Sequence, residues 1–216
     1  TPIKSSAASD VYKRQIYMPG GLRSCGGGRK GPSMNLKEET LEKNTIYTGR
    51  IITVRNDTAL LPNGKRASRE VVEHPGGVTI AALTPEGELL FVRQYRYPYG
   101  EELLELPAGK LERGEDPLES GKRELREETG AQAKHFRDIG KFYPTPGYCG
   151  EIIHMYFASG LTFGEQALDA DEFLTVQRIP LAKAVRMVLE NEIRDGKTQA
   201  AVLKVDALLR AGALEA

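Results

Sequence analysis

The chain has no tryptophan, two cysteines and three histidines among 216 residues. Cys25 and Cys149 are too few and too far apart for a disulfide framework. The fold must therefore rest on a hydrophobic core, and the cytoplasm is the compartment this cysteine usage suggests. Cys149 has no evident basic partner and reads as a small loop residue rather than a nucleophile. His74, His135 and His154 fall at no metal-ligand spacing and read as structural or surface residues. Net charge is also missing, with 30 basic residues against 30 acidic. Such a balance leaves no electrostatic footprint for nucleic acid or a membrane surface. No apolar run is long enough to span a bilayer. The length fits one domain with a small appended part.

What the chain does have is concentrated in residues 109–131, GKLERGEDPLESGKRELREETGA. Gly109, Gly114 and Pro117 break the first half into a loop. The second half is a helix with both ends marked. Asp116 serves as N-cap, Pro117 fits the first helical position, Glu119 stands at N3 as in a capping box, and Gly130 stops the helix. Leu118, Gly121 and Leu125 form one apolar stripe.

Glu124, Glu127 and Glu128 stand at i, i+3 and i+4, so three carboxylates crowd one side of that helix. Glu127 and Glu128 lie at its C-terminal end, where the dipole disfavours an anion by about 0.3–1 kcal/mol. A sequence selected for helix stability alone would carry lysines there. One reading is a solvated charged face with Arg123 and Arg126 as partners. The other is a divalent cation among the carboxylates, for which oxygen-only donors suit a hard ion such as Mg²⁺.

The spacing of Gly109, Glu115, Arg123, Glu124, Leu125, Glu127, Glu128 and Gly130 resembles the box of the Nudix hydrolases. Ala131 departs from it, since the family usually has a larger aliphatic residue there. That departure touches packing and leaves the chemistry intact. Eight fixed positions favour the cation reading over the charged face.

Around the box, residues 1–33 are rich in Ser, Gly and basic residues without apolar period. The string SSAASDVYKRQ resembles a translated adapter, and Met34 looks like the natural start, so 1–33 reads as a non-native or disordered leader. Residues 35–44 read as a polar lead-in. Residues 45–54 and 65–72, around the Asn63-Gly64 turn, read as a small antiparallel sheet ahead of the main domain. Such a sheet buries little and must dock on something, a partner subunit being one candidate. Strands are expected at 78–83, 89–95, 103–106, 136–142, 151–158 and 173–178, and helices at 181–189 and 198–209, with Gly196 as a breaker between them. The total is α+β: a mixed sheet flanked by helices, with residues 34–73 as an N-terminal sheet region and 74–216 as the main domain. That arrangement agrees with the Nudix fold.

The wider resemblance is to the ADP-ribose pyrophosphatase branch. It rests on RQYRYP with Arg96, on REVVEHPGG with Arg69, and on Pro146-Gly147 after the box. It implies Mg²⁺-dependent hydrolysis of ADP-ribose to AMP and ribose 5-phosphate, with Mn²⁺ as a substitute metal, by a homodimer. Glu124, Glu128 and the Ala108 carbonyl are then the metal ligands, and Glu127 a third ligand or an orienting group. Arg123 sets the carboxylates, with Glu115 as partner. Arg69, Arg96, Pro146 and Gly147 contact substrate, since arginine grips phosphate with a planar fork. Tyr47 either stacks on adenine or packs within its strand. The base that takes the proton from water lies on the acidic loop at 168–172: Glu172 fits best, Asp171 is one residue off, and Glu151 after the Pro-Gly turn is a third candidate. The same chemistry on a nucleotide sugar or a dinucleotide is the nearest rival. A sensor that binds ADP-ribose without turnover is a further one, and the intact glutamates argue against it.

Overall fold

Strand β5 (Gly77–Ala82) is buried along its whole length, so both of its faces must be covered. In the computed structural model, which describes residues 35–170 and 172–215, alternate residues of β5 feed two different cores. Val78, Ile80 and Ala82 pack with Leu125, Tyr156 and Ala158. Ala81 and Leu83 face the larger core, with Phe91, Leu106, Met155 and Phe157. The period of two along the strand thus places one helix layer on each side of the sheet.

The central sheet runs β8 (Ala108–Lys110), β5, β10 (Ile153–Phe163), β9 (Ala131–Phe142). β5 and β10 are parallel and the other two pairings antiparallel, so the sheet is mixed. A second sheet, β11 (Leu174–Pro180), β6 (Glu88–Arg96), β7 (Glu101–Glu105), is antiparallel throughout. Helix α1 (Pro117–Thr129) covers one core through Leu125. Helices α2 (Leu181–Leu189) and α3 (Gly196–Arg210) cover the other, through Ala184, Val188, Ala201, Val202 and Val205. The architecture is the α+β arrangement expected.

The N-terminal sheet has four strands: β1 (Glu39–Glu42), β2 (Thr45–Thr48), β3 (Thr53–Leu60) and β4 (Arg66–Glu73). β4 pairs β3 along its length, while β1 and β2 share the other edge. β1 falls in the stretch expected to be a polar lead-in. Its four residues are all exposed, so backbone pairing alone makes it a strand, and side-chain pattern gave no sign of it. The sheet is joined to the rest where Val72 N–H donates to Tyr148 O at 2.8 Å and Gly150 N–H donates to Val72 O at 2.9 Å.

The strand expected at 45–54 is broken into β2 and β3, and the one expected at 151–158 runs from Ile153 to Phe163. Two further boundaries differ from expectation for local reasons. α3 starts at Gly196 because the Asp195 carboxylate accepts from Thr198 N–H at 2.9 Å, and a cap so placed outweighs one glycine. β9 begins at Ala131, five residues early, because Gly130 turns the chain at φ +70° directly from helix into strand. At α1 the Asp116 carboxylate accepts from Leu118 and Glu119 N–H, as the sequence predicts. The Glu119 carboxylate, however, goes to Lys122 at 2.7 Å, so no capping box closes. The expected leader at 1–33, with Cys25, and the candidate Asp171 lie outside the described residues.

Candidate active site

α1 lies against β8, and the two bring Ala108, Gly109, Glu124 and Glu128 together. Ala108 N–H donates to Glu128 Oε2 at 2.9 Å. Gly109 lies directly beneath the Glu124 carboxyl group, which a Cβ at that position would overlap. Glu128 is 2% exposed and Glu124 7%. Burial pushes Glu128 up to about 8, with Glu124 and Glu172 adding to the effect and the Ala108 N–H opposing it. Burial likewise pushes Glu124 up to about 6, with Arg123 opposing and Glu127 and Glu172 adding.

Arg123 is the hub that keeps the outer carboxylates in place. Its Nε donates to Glu115 Oε1 at 3.0 Å, and its Nη1 lies 2.9 Å from both Glu124 Oε1 and Glu127 Oε2. The Glu115 contact, above all, raises the Arg123 guanidinium further, and the Glu115 carboxyl is lowered in return. Glu128 is outside this set; the hydrogen-bond donor to its carboxylate among the described residues is Ala108 N–H. The site is therefore rich in buried carboxylate oxygen and short of cations. Among the described residues no three His, Cys, Asp or Glu side chains enclose an ion by themselves. A pair of carboxylates with a backbone carbonyl still fits Mg²⁺, which keeps several waters and takes few protein ligands. All the donors are oxygen, as that ion prefers.

The strand that leads into the site is held residue by residue. Glu105, 1% exposed, accepts a two-pronged ion pair from Arg96: Nε to Oε1 at 2.6 Å and Nη2 to Oε2 at 2.7 Å. Lys197 on α3 also donates to Glu105. Burial alone would raise Glu105, but Arg96 and Lys197 outweigh it and hold it at about 2. Leu106 N–H donates to the fully buried Thr198 hydroxyl at 2.9 Å, and Pro107 O accepts Ile80 N–H at 2.9 Å. No sequence signal joins Glu105 to Lys197 or Leu106 to Thr198, because each pair is separated by 92 positions.

The expected substrate residues fall in two places. Arg69, Pro146 and Gly147 line one open groove with Tyr148 and Cys149. In that groove Arg69 pairs with Glu38, Nη2 to Oε1 at 2.6 Å. Arg96 is elsewhere, close enough to Glu128 to lower its pKa, and half of its fork is committed to Glu105. Of the base candidates, Glu172 adds a minor like-charge repulsion at both Glu124 and Glu128, and Glu151 contributes to neither. Glu151 instead approaches His74 Nδ1 at 3.4 Å. Tyr47 is 56% exposed on β2.

The chain matches the NUDIX domain over residues 73–201. The chain belongs to the NUDIX family. Residues 38–72, the N-terminal sheet, match the nucleoside diphosphate sugar hydrolase N-terminal domain. The ADP-ribose pyrophosphatase of Bacillus subtilis (strain 168) is 42% identical over 170 residues, 78% of this chain and 92% of the relative. The methanol dehydrogenase activator of Bacillus methanolicus is 42% identical over 168 residues, 77% of this chain and 91% of the relative. A solved structure of an ADP compounds hydrolase superposes with a TM-score of 0.73 at 24% identity, covering 85% of this chain and all of the other, which shows the shared fold. The resemblance read from the box is thereby borne out. No helix among the described residues is long and apolar enough to cross a membrane.

Proposed function

We propose that this NUDIX protein hydrolyses the diphosphate bond of ADP-ribose to AMP and ribose 5-phosphate. The observation that carries the reading is the convergence of Ala108, Glu124 and Glu128 at the box, and the like-charge effect of Glu172 on both carboxylates supports its place near them. The pyrophosphatase relative points to the substrate. Glu124, Glu128 and the Ala108 carbonyl would hold Mg²⁺, or Mn²⁺ in its place. When bound, the metal neutralises charge developing on the diphosphate and makes a bound water more acidic.

The chain's own residues do the rest. Glu172 takes the proton as water adds to phosphorus and the bridging P–O bond breaks. Glu127 serves as a third ligand or as an orienting group, and Arg123 fixes Glu115, Glu124 and Glu127 relative to one another. Arg96 uses its Nε and Nη2 on Glu105, which leaves Nη1 for a phosphate oxygen. Arg69, Pro146 and Gly147 supply a groove for the nucleoside end.

The sheet of residues 34–73 serves as a dimerisation element in this reading, and residues 74–216 as the catalytic domain. β1 and β2 are exposed throughout and present Leu41, Ile46 and Tyr47, apolar surface that a second copy would cover. The cysteine usage supports a cytoplasmic site of action. A nucleotide sugar is the second substrate reading, favoured by the match of residues 38–72.

Both readings are separated by a phosphatase-coupled phosphate-release assay on ADP-ribose, nucleotide sugars and dinucleotides, with Mg²⁺ and with EDTA. ADP-ribose should give the highest kcat/KM, and only with the metal. A nucleotide sugar ahead of ADP-ribose would replace the substrate assignment, and no turnover on any of them would favour the sensor reading.

A further inference from the structure

The C-terminal end of α1 leaves carbonyls without intrahelical donors, as every helix does. Here the donors come from a distant loop. Ala167 N–H donates to Glu127 O at 3.0 Å, the Gln166 side-chain Nε2 donates to Glu128 O, and Gly164 N–H donates to Gly130 O at 2.8 Å. The two segments touch backbone to backbone, since a Cβ on Gly130 would run into the Gly164 carbonyl. The box glycine therefore does two things: it reverses the helix at φ +70° and leaves room for the loop.

This docked segment runs within a few residues to Glu172. Glu172 N–H donates to Asp169 O at 3.0 Å, which closes the loop into a turn. Two of the three tethered carbonyls belong to Glu127 and Glu128 themselves. The end of the box helix and the loop that carries the base are thus one hydrogen-bonded unit, and among the described residues Gln166 supplies the one side-chain donor that joins the two.

We infer that Gln166 is a positioning residue, whose amide registers the Glu172 loop on the main chain of the box helix and so sets Glu172 against the metal carboxylates. This rests on the proposed role of Glu172. Removing the amide leaves the ligands and the base chemically intact. It loosens the register between them, and a displacement of about 1 Å is worth roughly 10²-fold in rate.

The experiment is a double-mutant cycle on the full chain with ADP-ribose and Mg²⁺. Gln166→Met keeps the side-chain length and removes the donor. It should lower kcat roughly ten- to hundredfold with KM and Mn²⁺ affinity, read by EPR, little changed. Gln166→Lys restores a donor at a helix C-terminus, where a cation is welcome. It should hold kcat within about threefold of wild type, and it keeps the test open if the Met variant folds poorly. In a Glu172→Gln background, Gln166→Met should cost nothing further, because the two act as a unit. A full multiplicative loss in that background would overturn the inference while leaving the Glu172 assignment standing. A harmless Glu172→Gln would overturn both. Equal loss in the Lys and Met variants would assign Gln166 to packing alone.

Discussion

The Glu124 carboxyl group fills the space where Gly109 would carry a Cβ. Gly109 sits in a strand and has no positive φ, so no demand of backbone conformation places glycine there. The demand is room for a carboxylate. Gly109→Ala should therefore fold, displace Glu124, and lower kcat by about 10²-fold. Thermal unfolding and steady-state kinetics check both halves. A variant with wild-type kcat would mean that the position of Glu124 does not matter.

Arg69 meets Glu38 at the surface and lines the groove with Pro146 and Gly147. Its pair is exposed, so its loss should barely move the melting temperature. Arg69→Ala should raise KM for ADP-ribose more than it lowers kcat, because a groove contact is made alike in ground and transition states. An unchanged KM would remove the groove from the substrate path.

Glu105 supplies a pH dependence of known sign. Its ordinary value is 4.5 and its folded value about 2. Its contribution to stability is then complete above pH 4.5 and lost as pH falls through 2, and amounts to on the order of 3 kcal/mol. At neutral pH, Glu105→Gln should cost about 3–5 kcal/mol, since it strands Arg96 and Lys197. Urea unfolding should show the gap between wild type and variant shrinking from pH 6 to pH 2. A gap that stays constant with pH would contradict the ion-pair account.

Much of the site is local in sequence, which is why it was legible there. Asp116, Pro117 and Gly130 mark the ends of α1, and Glu124, Glu127 and Glu128 share a side by helical spacing alone. The α+β layering follows from alternation in β5, whose two faces need two covers. The parts that sequence did not disclose are made by chain segments meeting across long separations. Glu105 with Lys197, Leu106 with Thr198 and Glu128 with Gln166 are single side-chain hydrogen bonds that impose no period and no composition. β1 escaped for a related reason: its residues are all exposed, so its pairing with β3 left no apolar mark.

The base assignment has its own test. Glu172 acts on Glu124 and Glu128 electrostatically, whereas Glu151 sits beside His74. Glu172→Gln should lower kcat by about 10²–10⁴, the usual contribution of a general base, with KM unchanged. If Glu172→Gln were harmless and Glu151→Gln were not, the base would belong beside the Pro-Gly loop.

The central claim is that buried carboxylates of the box hold a metal for cleavage of ADP-ribose, and Glu128→Gln tests it most directly. The substitution preserves shape and an acceptor for Ala108 N–H, and it removes the carboxylate that a metal ion would need at a crowded, buried site. The variant should stay folded, with equal or slightly higher stability in metal-free buffer. Product chromatography at limiting Mg²⁺ should show AMP and ribose 5-phosphate in equal amounts from wild type. The variant should form them roughly 10³-fold more slowly, the rate equivalent of several kcal/mol of metal stabilisation. Near-native turnover by Glu128→Gln at limiting Mg²⁺ would contradict the account.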